Sequence, residues 1–197
     1  MPKSVDHEAR RAELADALFA VIERDGIAAA TIREVAAEAG WTRGVIGHYF
    51  DNRDDLLLFA YREGLTRALD AWRPKAGQQP LDLLTQWLLT SMPLDRTSTL
   101  NYTIYLAFAE KAAGNPGLGL AVATESERFD AVTRGYLTDC LAQGSLTPPF
   151  PTDKAADVLI TLVDGLSLNA FTNPLRYSKA RIRAMLRDFL ATWAPPL

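Results

Sequence analysis

The segment 31–50 restricts the fold most, because it holds two short helical patterns separated only by the turn Gly40-Trp41-Thr42. Thr31 is followed three residues later by Glu34, a capping box that starts the first of these helices. Gly40 ends that helix, and Thr42 is placed to cap the next one. The segment therefore predicts two short helices that follow each other closely.

Helical periodicity continues along the rest of the chain, and no stretch has the alternation of a strand. A first helix is predicted from His7 to Asp25, stopped by Gly26, and the helix after Thr42 is predicted to carry Val45, Ile46 and Tyr49. Asp51 or Asn52 caps a long fourth helix that ends before the break at 74–80. Five further helices are predicted over about 80–93, 97–113, 116–144, 153–172 and 178–193. The fold class is therefore all-α, with about nine helices.

The overall charge argues against a protein that holds nucleic acid by charge alone. The chain has 21 Lys and Arg against 24 Asp and Glu, and its pI is about 5.4. Any contact with DNA must therefore be local, through the few residues that face phosphate. No signal peptide and no apolar run of roughly 20 residues is present, so we expect a cytoplasmic protein that does not enter a membrane.

The sequence offers no set of catalytic or metal-binding residues. Its only histidines are His7 and His48, and its only cysteine, Cys140, falls on apolar positions of a helix, as a small buried residue does. No metal set, no Cys-His pair and no glycine-rich phosphate loop can be assembled from these residues. We therefore expect no enzyme activity and no cofactor.

Residues 31–50, read as TIREVAAEAGWTRGVIGHYF, resemble the helix-turn-helix of the TetR family of regulators, and the resemblance covers about residues 8–55. It implies a three-helix DNA-binding head, residues 1–53, on a helical effector-binding and dimerisation body, residues 54–197. The implied function is a ligand-responsive regulator that binds a partly palindromic operator as a homodimer and is released by a small molecule. Repression is the commoner outcome, and activation stays open.

The family pattern also implies roles for residues of the head. Thr42 would contact phosphate as well as cap its helix, and His48 and Tyr49 would touch the DNA backbone. Gly47 departs from the pattern, where a tyrosine is more usual, which leaves Arg43 as the best candidate for a base contact. His48 as a packing residue, and Arg43 on a solvated face, are the alternatives. The predicted DNA-binding residues are Thr31, Arg33, Thr42, Arg43, Val45, Gly47, His48, Tyr49 and Arg53.

The body allows two interpretations. Aromatic residues and one asparagine could line an apolar pocket that binds an effector, or they could be ordinary core, which would leave a DNA-binding protein without a ligand. The predicted ligand-binding residues are Trp87, Asn101, Tyr102, Tyr105, Phe108 and Phe129.

The last two helices have apolar stripes wide enough for the core of the monomer and for a partner. In the TetR family, such helices pair with their two-fold mates in a four-helix bundle. The predicted dimer residues are Leu159, Leu162, Val163, Leu166, Met185, Leu186, Phe189 and Trp193. The run from Asp164 to Ala170, with Asn173-Pro174 after it, resembles, together with the segment 44–50 of the head, the subgroup that includes the choline-responsive BetI regulators. The resemblance leaves the effector itself open.

Overall fold

A computed structural model describes the backbone of residues 3–195 and the side chains from Ala9 to Pro195, apart from that of Arg43. Within this range the chain forms nine α-helices, one short 3₁₀ helix at Ile27–Ala29 and no strand, which confirms the all-α prediction. The helices are α1 (Lys3–Asp25), α2 (Ile32–Glu38), α3 (Arg43–Ile46), α4 (Arg53–Ala71), α5 (Pro80–Thr90), α6 (Arg96–Ala112), α7 (Pro116–Ala142), α8 (Thr152–Thr172) and α9 (Lys179–Ala191).

Local signals account for several helix ends. Gly26 has a φ of +84°, a left-handed conformation that glycine adopts without strain, and it ends α1. The Thr31 hydroxyl accepts a 3.2 Å hydrogen bond from the Glu34 amide at the start of α2. The Asn52 side chain accepts from two amides of the first turn of α4, at 2.8 and 3.0 Å, so Asn52 is the cap of α4.

The third helix is shorter than its sequence pattern suggests. It ends at Ile46, so the prediction that it extends to Tyr49 is wrong. The amide of His48 donates to the carbonyl of Val45, and the amide of Tyr49 donates to that of Ile46, in the tighter i to i−3 pattern. Gly47 has low helix propensity and follows α3 directly, which explains the early change from helix to turn.

The chain divides into two compact units. The first comprises Met1–Leu69 and Leu100–Val122, and the second comprises Asp70–Thr99 and Ala123–Leu197. The core of the first unit draws apolar side chains from α1, α2, α3, α4 and α6, so long helices of the body pack together with the helix-turn-helix. Its buried members include Leu14, Leu18, Val21, Val35, Ile46, Phe50, Leu57, Ile104 and Phe108. The predicted functional boundary between residues 53 and 54 stays a prediction.

The second unit buries apolar residues of α5, α7, α8 and α9, among them Leu84, Leu88, Leu137, Leu159, Leu186 and Leu190. Cys140 lies among these residues with no exposed surface, which confirms the prediction of a small buried residue. Burial raises the pKa of its thiol.

Candidate nucleic-acid interface

The turn between α2 and α3 is set by backbone hydrogen bonds. Gly40 adopts a φ of +70°, and the next amide, that of Trp41, donates a 2.7 Å bond back to the carbonyl of Ala36. This is the closing bond of a Schellman-type helix end. The Thr42 hydroxyl then accepts from the amide of Val45 at 3.4 Å and caps α3 as predicted. The sequence of this turn therefore specifies where α3 starts relative to α2.

The two sides of α3 differ sharply in burial. Ile46 is fully buried and Phe50 is 3% exposed, so both anchor α3 to the core. Val45 is 39% exposed, and Gly44, Gly47 and His48 also face solvent. Among the described side chains, the outer surface of α3 and of the turn after it therefore presents one branched apolar side chain and two glycines, followed by a histidine.

The remaining predicted residues of the head divide into exposed and anchored groups. Thr31 and Arg33 are exposed, and the Arg33 guanidinium, at 82% exposure, pairs only with neighbouring Glu34 in the contacts seen. Tyr49 is half-buried, with its ring 5.7 Å from that of Trp41. Arg43 is the first residue of α3, and its side chain lies outside the described residues.

Arg53 differs from the expectation of a free cation beside the DNA. Its Nε donates a 2.7 Å hydrogen bond to the carbonyl of Ala30, and a terminal nitrogen donates to the carbonyl of Ile27. The guanidinium is thus partly buried and joins α4 to the loop that precedes α2. Sequence spacing could not indicate this role, because the partners lie 23 and 26 residues away.

Arg10 was not among the predicted residues, although it lies beside them. Its guanidinium lies 6.0 Å from the centre of the Trp41 ring, within the range of a cation–π contact. Arg10, Trp41, Thr42 and Val45 line a groove of about 570 Å³ together with Ala9, Glu13 and Gly40. The sequence feature that could have indicated this contact is Trp41, because a large aromatic ring in a turn near the surface usually packs against a neighbouring side chain.

Acidic side chains of the same unit are engaged in ion pairs. Arg24 bridges Asp25 and Glu38 at 2.9 and 2.6 Å, which connects α1 to α2. Arg67 of α4 pairs with Asp16 of α1, and Lys111 of α6 pairs with Asp54 at the start of α4. These contacts neutralise part of the negative charge that the head carries.

The six predicted ligand-binding residues fall into both units. Tyr102, Tyr105 and Phe108 of α6 lie in the first, where the rings of Tyr105 and Phe108 are 6.0 and 6.3 Å from that of Tyr61. Asn101 packs against Gly64 of α4, so closely that a larger residue at position 64 would require the Asn101 amide to move.

Trp87 and Phe129 lie in the second unit, with their rings stacked at 4.9 Å. Trp72 and Tyr136 complete a cluster of four rings, and the indole of Trp72 donates a 2.7 Å bond to the Tyr136 hydroxyl. Trp87 is only 2% exposed, and its indole donates to the hydroxyl of buried Thr133 at 2.9 Å. Sequence analysis missed the buried carboxylate of Glu125, one turn before Phe129 on α7.

The predicted dimer residues separate by burial. Five of them are 0–4% exposed and belong to the core of their own chain: Leu159, Val163, Leu166, Leu186 and Trp193. Leu162 and Phe189 are half-buried, and Met185 is 38% exposed. Leu168, which was not predicted, adds an apolar side chain at 48% exposure on α8.

Among the described residues, α8 is also the one helix long and apolar enough to cross a membrane by length and composition. Its apolar residues Leu159, Val163 and Leu166 are buried inside the chain, and Leu168 is exposed.

Comparison with protein families gives two matches that follow each other along the chain. Residues 14–59 match the model of the bacterial regulatory proteins of the tetR family, and residues 80–195 match the C-terminal region of BetI-type transcriptional repressors.

Individual relatives agree with these matches. The chain is 31% identical to the HTH-type transcriptional regulator PksA of Bacillus subtilis, over 94% of this chain and 90% of that protein. It is 29% identical to the HTH-type transcriptional regulator BetI of Paraburkholderia xenovorans, over 85% of each.

Solved structures show the same fold. A transcriptional regulator from Rhodococcus sp. Rha1 aligns with a TM-score of 0.76 and 26% identity, over 93% of this chain and 95% of that one. A regulator from Saccharomonospora viridis, in complex with choline, aligns with a TM-score of 0.81 over 96% of this chain and all of that one. Its identity to this chain is 19%, so the likeness shows the fold alone.

Proposed function

Because the chain belongs to the TetR family of transcriptional regulators and is a BetI-type repressor rather than an enzyme, we propose that it binds a partly palindromic operator as a homodimer and leaves it when a small molecule binds the body. The observation that carries this proposal is the two-sided burial of α3. Ile46 and Phe50 anchor the helix, while Gly44 and Val45 stay at the surface. A helix held in this way presents an outer surface that fits the major groove.

In this proposal, Thr42, His48 and Tyr49 contact phosphate, and Arg43 contacts a base. Thr31 and Arg33 at the start of α2 add backbone contacts. Arg10 is proposed as a further phosphate ligand, because its guanidinium lies over the ring of Trp41, beside the protein groove that Thr42 and Val45 also line. Arg53 positions the helix-turn-helix through its carbonyl partners instead of binding phosphate directly.

Selection of bound fragments from a random DNA pool, repeated at several salt concentrations, tests the DNA-binding part. We expect a partly palindromic site with half-sites roughly 34 Å apart, or a multiple of it, and an affinity that falls steeply with salt. Failure to enrich any sequence contradicts operator binding, provided that mass spectrometry of the denatured protein finds no bound effector.

The homodimer is proposed to form through α8 and α9. Support comes from the apolar side chains that the protomer leaves uncovered there, namely Leu168 and Met185, with half-buried Leu162 and Phe189 beside them. A two-fold axis would bring these residues against their own copies and bury them.

The effector is proposed to be a small organic cation, and choline is the first compound to test because the Saccharomonospora viridis regulator binds it. Aromatic faces attract such cations, and a carboxylate balances their charge. The second unit holds the rings of Trp72, Trp87, Phe129 and Tyr136, with buried Glu125 on the same helix as two of them. Asn101, Tyr102, Tyr105 and Phe108 on α6 stay predicted ligand residues.

Titration calorimetry with choline, followed by a competition assay with operator DNA, tests this proposal. We expect choline to bind and to weaken operator binding, because only a ligand that favours the DNA-free state can release DNA. Glu125→Gln should abolish choline binding, whereas Glu127→Gln, an exposed carboxylate on the same helix, should leave it intact. If no ligand binds and operator affinity does not change, the protein is a constitutive regulator.

A further inference from the structure

Within the part of the chain that the structure describes, nothing requires residue 44 on α3 to be glycine. Its φ is not in the left-handed region, unlike those of Gly26 and Gly40. A Cβ atom built on Gly44 would find only the Thr42 hydroxyl within 4.0 Å, an ordinary van der Waals contact. Glycine nevertheless costs helix stability relative to alanine. What Gly44 does provide is a bare outer surface on α3, which a large partner can approach closely.

Val45, the next residue, is the exposed apolar side chain of this surface. It is 39% exposed, while Ile46 beside it is fully buried on the other side of the helix. A valine side chain has no hydrogen-bonding group, so it distinguishes base pairs only by apolar contact. The 5-methyl group of thymine is the apolar group that base pairs present in the major groove.

We infer that Val45 reads a thymine by van der Waals contact with its 5-methyl group, and that the bare surface of Gly44 lets the DNA come close enough for this contact. The inference rests on the proposed function, because it requires α3 to enter the major groove. It adds an apolar, methyl-dependent element to operator specificity, distinct from the hydrogen bonds assigned to Arg43.

Deoxyuridine isolates the methyl group, because it pairs as thymine does and lacks only the 5-methyl. Each thymine of the selected operator is replaced in turn by deoxyuridine, and the affinity is measured with wild-type protein and with Val45→Ala. We expect one position per half-site at which wild-type binding falls roughly three- to tenfold, the scale of burying one methyl group. With Val45→Ala, the same replacement should have no effect.

Gly44→Ala tests the close approach. The variant should unfold at a higher temperature than the wild type, because alanine favours the helix, and it should bind the operator at least tenfold more weakly. Gly135→Ala is the matched control, since Gly135 lies in α7 and a Cβ there would meet no atom within 4 Å. This control should also raise the unfolding temperature while operator affinity stays unchanged.

The outcomes separate this inference from the proposed function. The thymine contact is wrong if no deoxyuridine replacement lowers the affinity for a selected operator. It is also wrong if the replacement lowers the affinity of Val45→Ala as much as that of the wild type. In both cases the proposed repressor function stands. Unchanged affinity in Gly44→Ala overturns the close approach in the same way. A folded, effector-free dimer that enriches no DNA sequence overturns both proposals together.

Discussion

The Nε of Arg53 donates a 2.7 Å hydrogen bond to the backbone carbonyl of Ala30. This bond connects the first turn of α4 to the residue before Thr31, the cap of α2. A second guanidinium nitrogen reaches the carbonyl of Ile27, so one side chain holds both ends of the loop between α1 and α2. Because α2 and the Gly40 turn together orient α3, Arg53 acts on the DNA-binding surface through the backbone.

Arg53→Ala should therefore destabilise the protein, by about 1–3 kcal/mol, since it removes charged hydrogen bonds to partly buried carbonyls. Operator affinity should fall while its salt dependence keeps the wild-type slope, because no phosphate contact is lost. Arg33→Ala is the matched comparison: it should lower the salt slope by about one and leave stability nearly unchanged. Urea denaturation and binding at several salt concentrations measure both quantities. A lowered slope for Arg53→Ala would return Arg53 to the phosphate-binding residues.

Arg43→Ala should weaken operator binding and relax the preference at one base pair, by roughly 1–3 kcal/mol if the guanidinium reads a guanine. Fragment selection with the variant, compared with the wild type, shows which position loses its preference. A uniform loss of affinity with unchanged sequence preference would place Arg43 among the phosphate contacts instead.

Leu168→Glu combined with Met185→Glu should produce monomers, because each introduces a charge at an apolar position that the protomer leaves exposed. Leu162 and Phe189 are less suitable positions, because they are half-buried within the chain and replacing them also disturbs the fold. Leu175→Glu, at a loop residue that is 97% exposed, is the control and should stay dimeric. Sedimentation that still finds a dimer in the double variant would place the interface elsewhere.

Thr133→Val should cost about 1–3 kcal/mol of stability, because it leaves the buried indole N–H of Trp87 without its acceptor. Thr138→Val, at an exposed hydroxyl of the same helix, should change the free energy of unfolding by less than about 0.5 kcal/mol. Urea denaturation compares the two variants. An unchanged stability in Thr133→Val, accompanied by altered effector affinity, would show that Trp87 belongs to the ligand site rather than to the core.

Features with local causes were predictable from the sequence. The caps at Thr31 and Asn52 and the turn at Gly40 depend on residues within five positions of each other, and all three are found in the structure. Features that depend on distant partners were not predictable. The role of Arg53 comes from carbonyls more than 20 residues away.

The body shows the same limit. An apolar stripe indicates that a helix is buried, but it does not distinguish the core of the protomer from a partner. Leu159 and Leu186 therefore had the same pattern as Met185, although the first two are fully buried and Met185 is exposed. In the same way, the aromatic pattern does not reveal that Tyr105 and Trp87 belong to different units.

Two carboxylates of the second unit make its stability depend on pH. Partial desolvation raises the pKa of Asp164, an exposed residue of α8, and nearby Asp130 on α7 raises it further. Burial also raises the pKa of Asp130, where Asp157 and Glu127 add to the shift and Arg134 opposes it. Between the ordinary value of 3.8 and the raised pKa, the folded state binds more protons than the unfolded state. The free energy of unfolding therefore falls as pH rises through this range.

Asp164→Asn should consequently stabilise the protein at pH 7, where it removes a partly desolvated charge and its repulsion of Asp130. The gain should shrink as pH falls and disappear about one unit below 3.8, where the carboxyl of the wild type is protonated in both states. Thermal unfolding at pH 7 and at about pH 2.8 measures this, with Asp139→Asn as a surface control outside the cluster. The opposite sign at pH 7 would mean that a cation pairs with Asp164 in the assembled protein. Because α8 is a proposed dimer helix, repeating the measurement on the Leu168→Glu, Met185→Glu monomer would then show whether that cation comes from the partner.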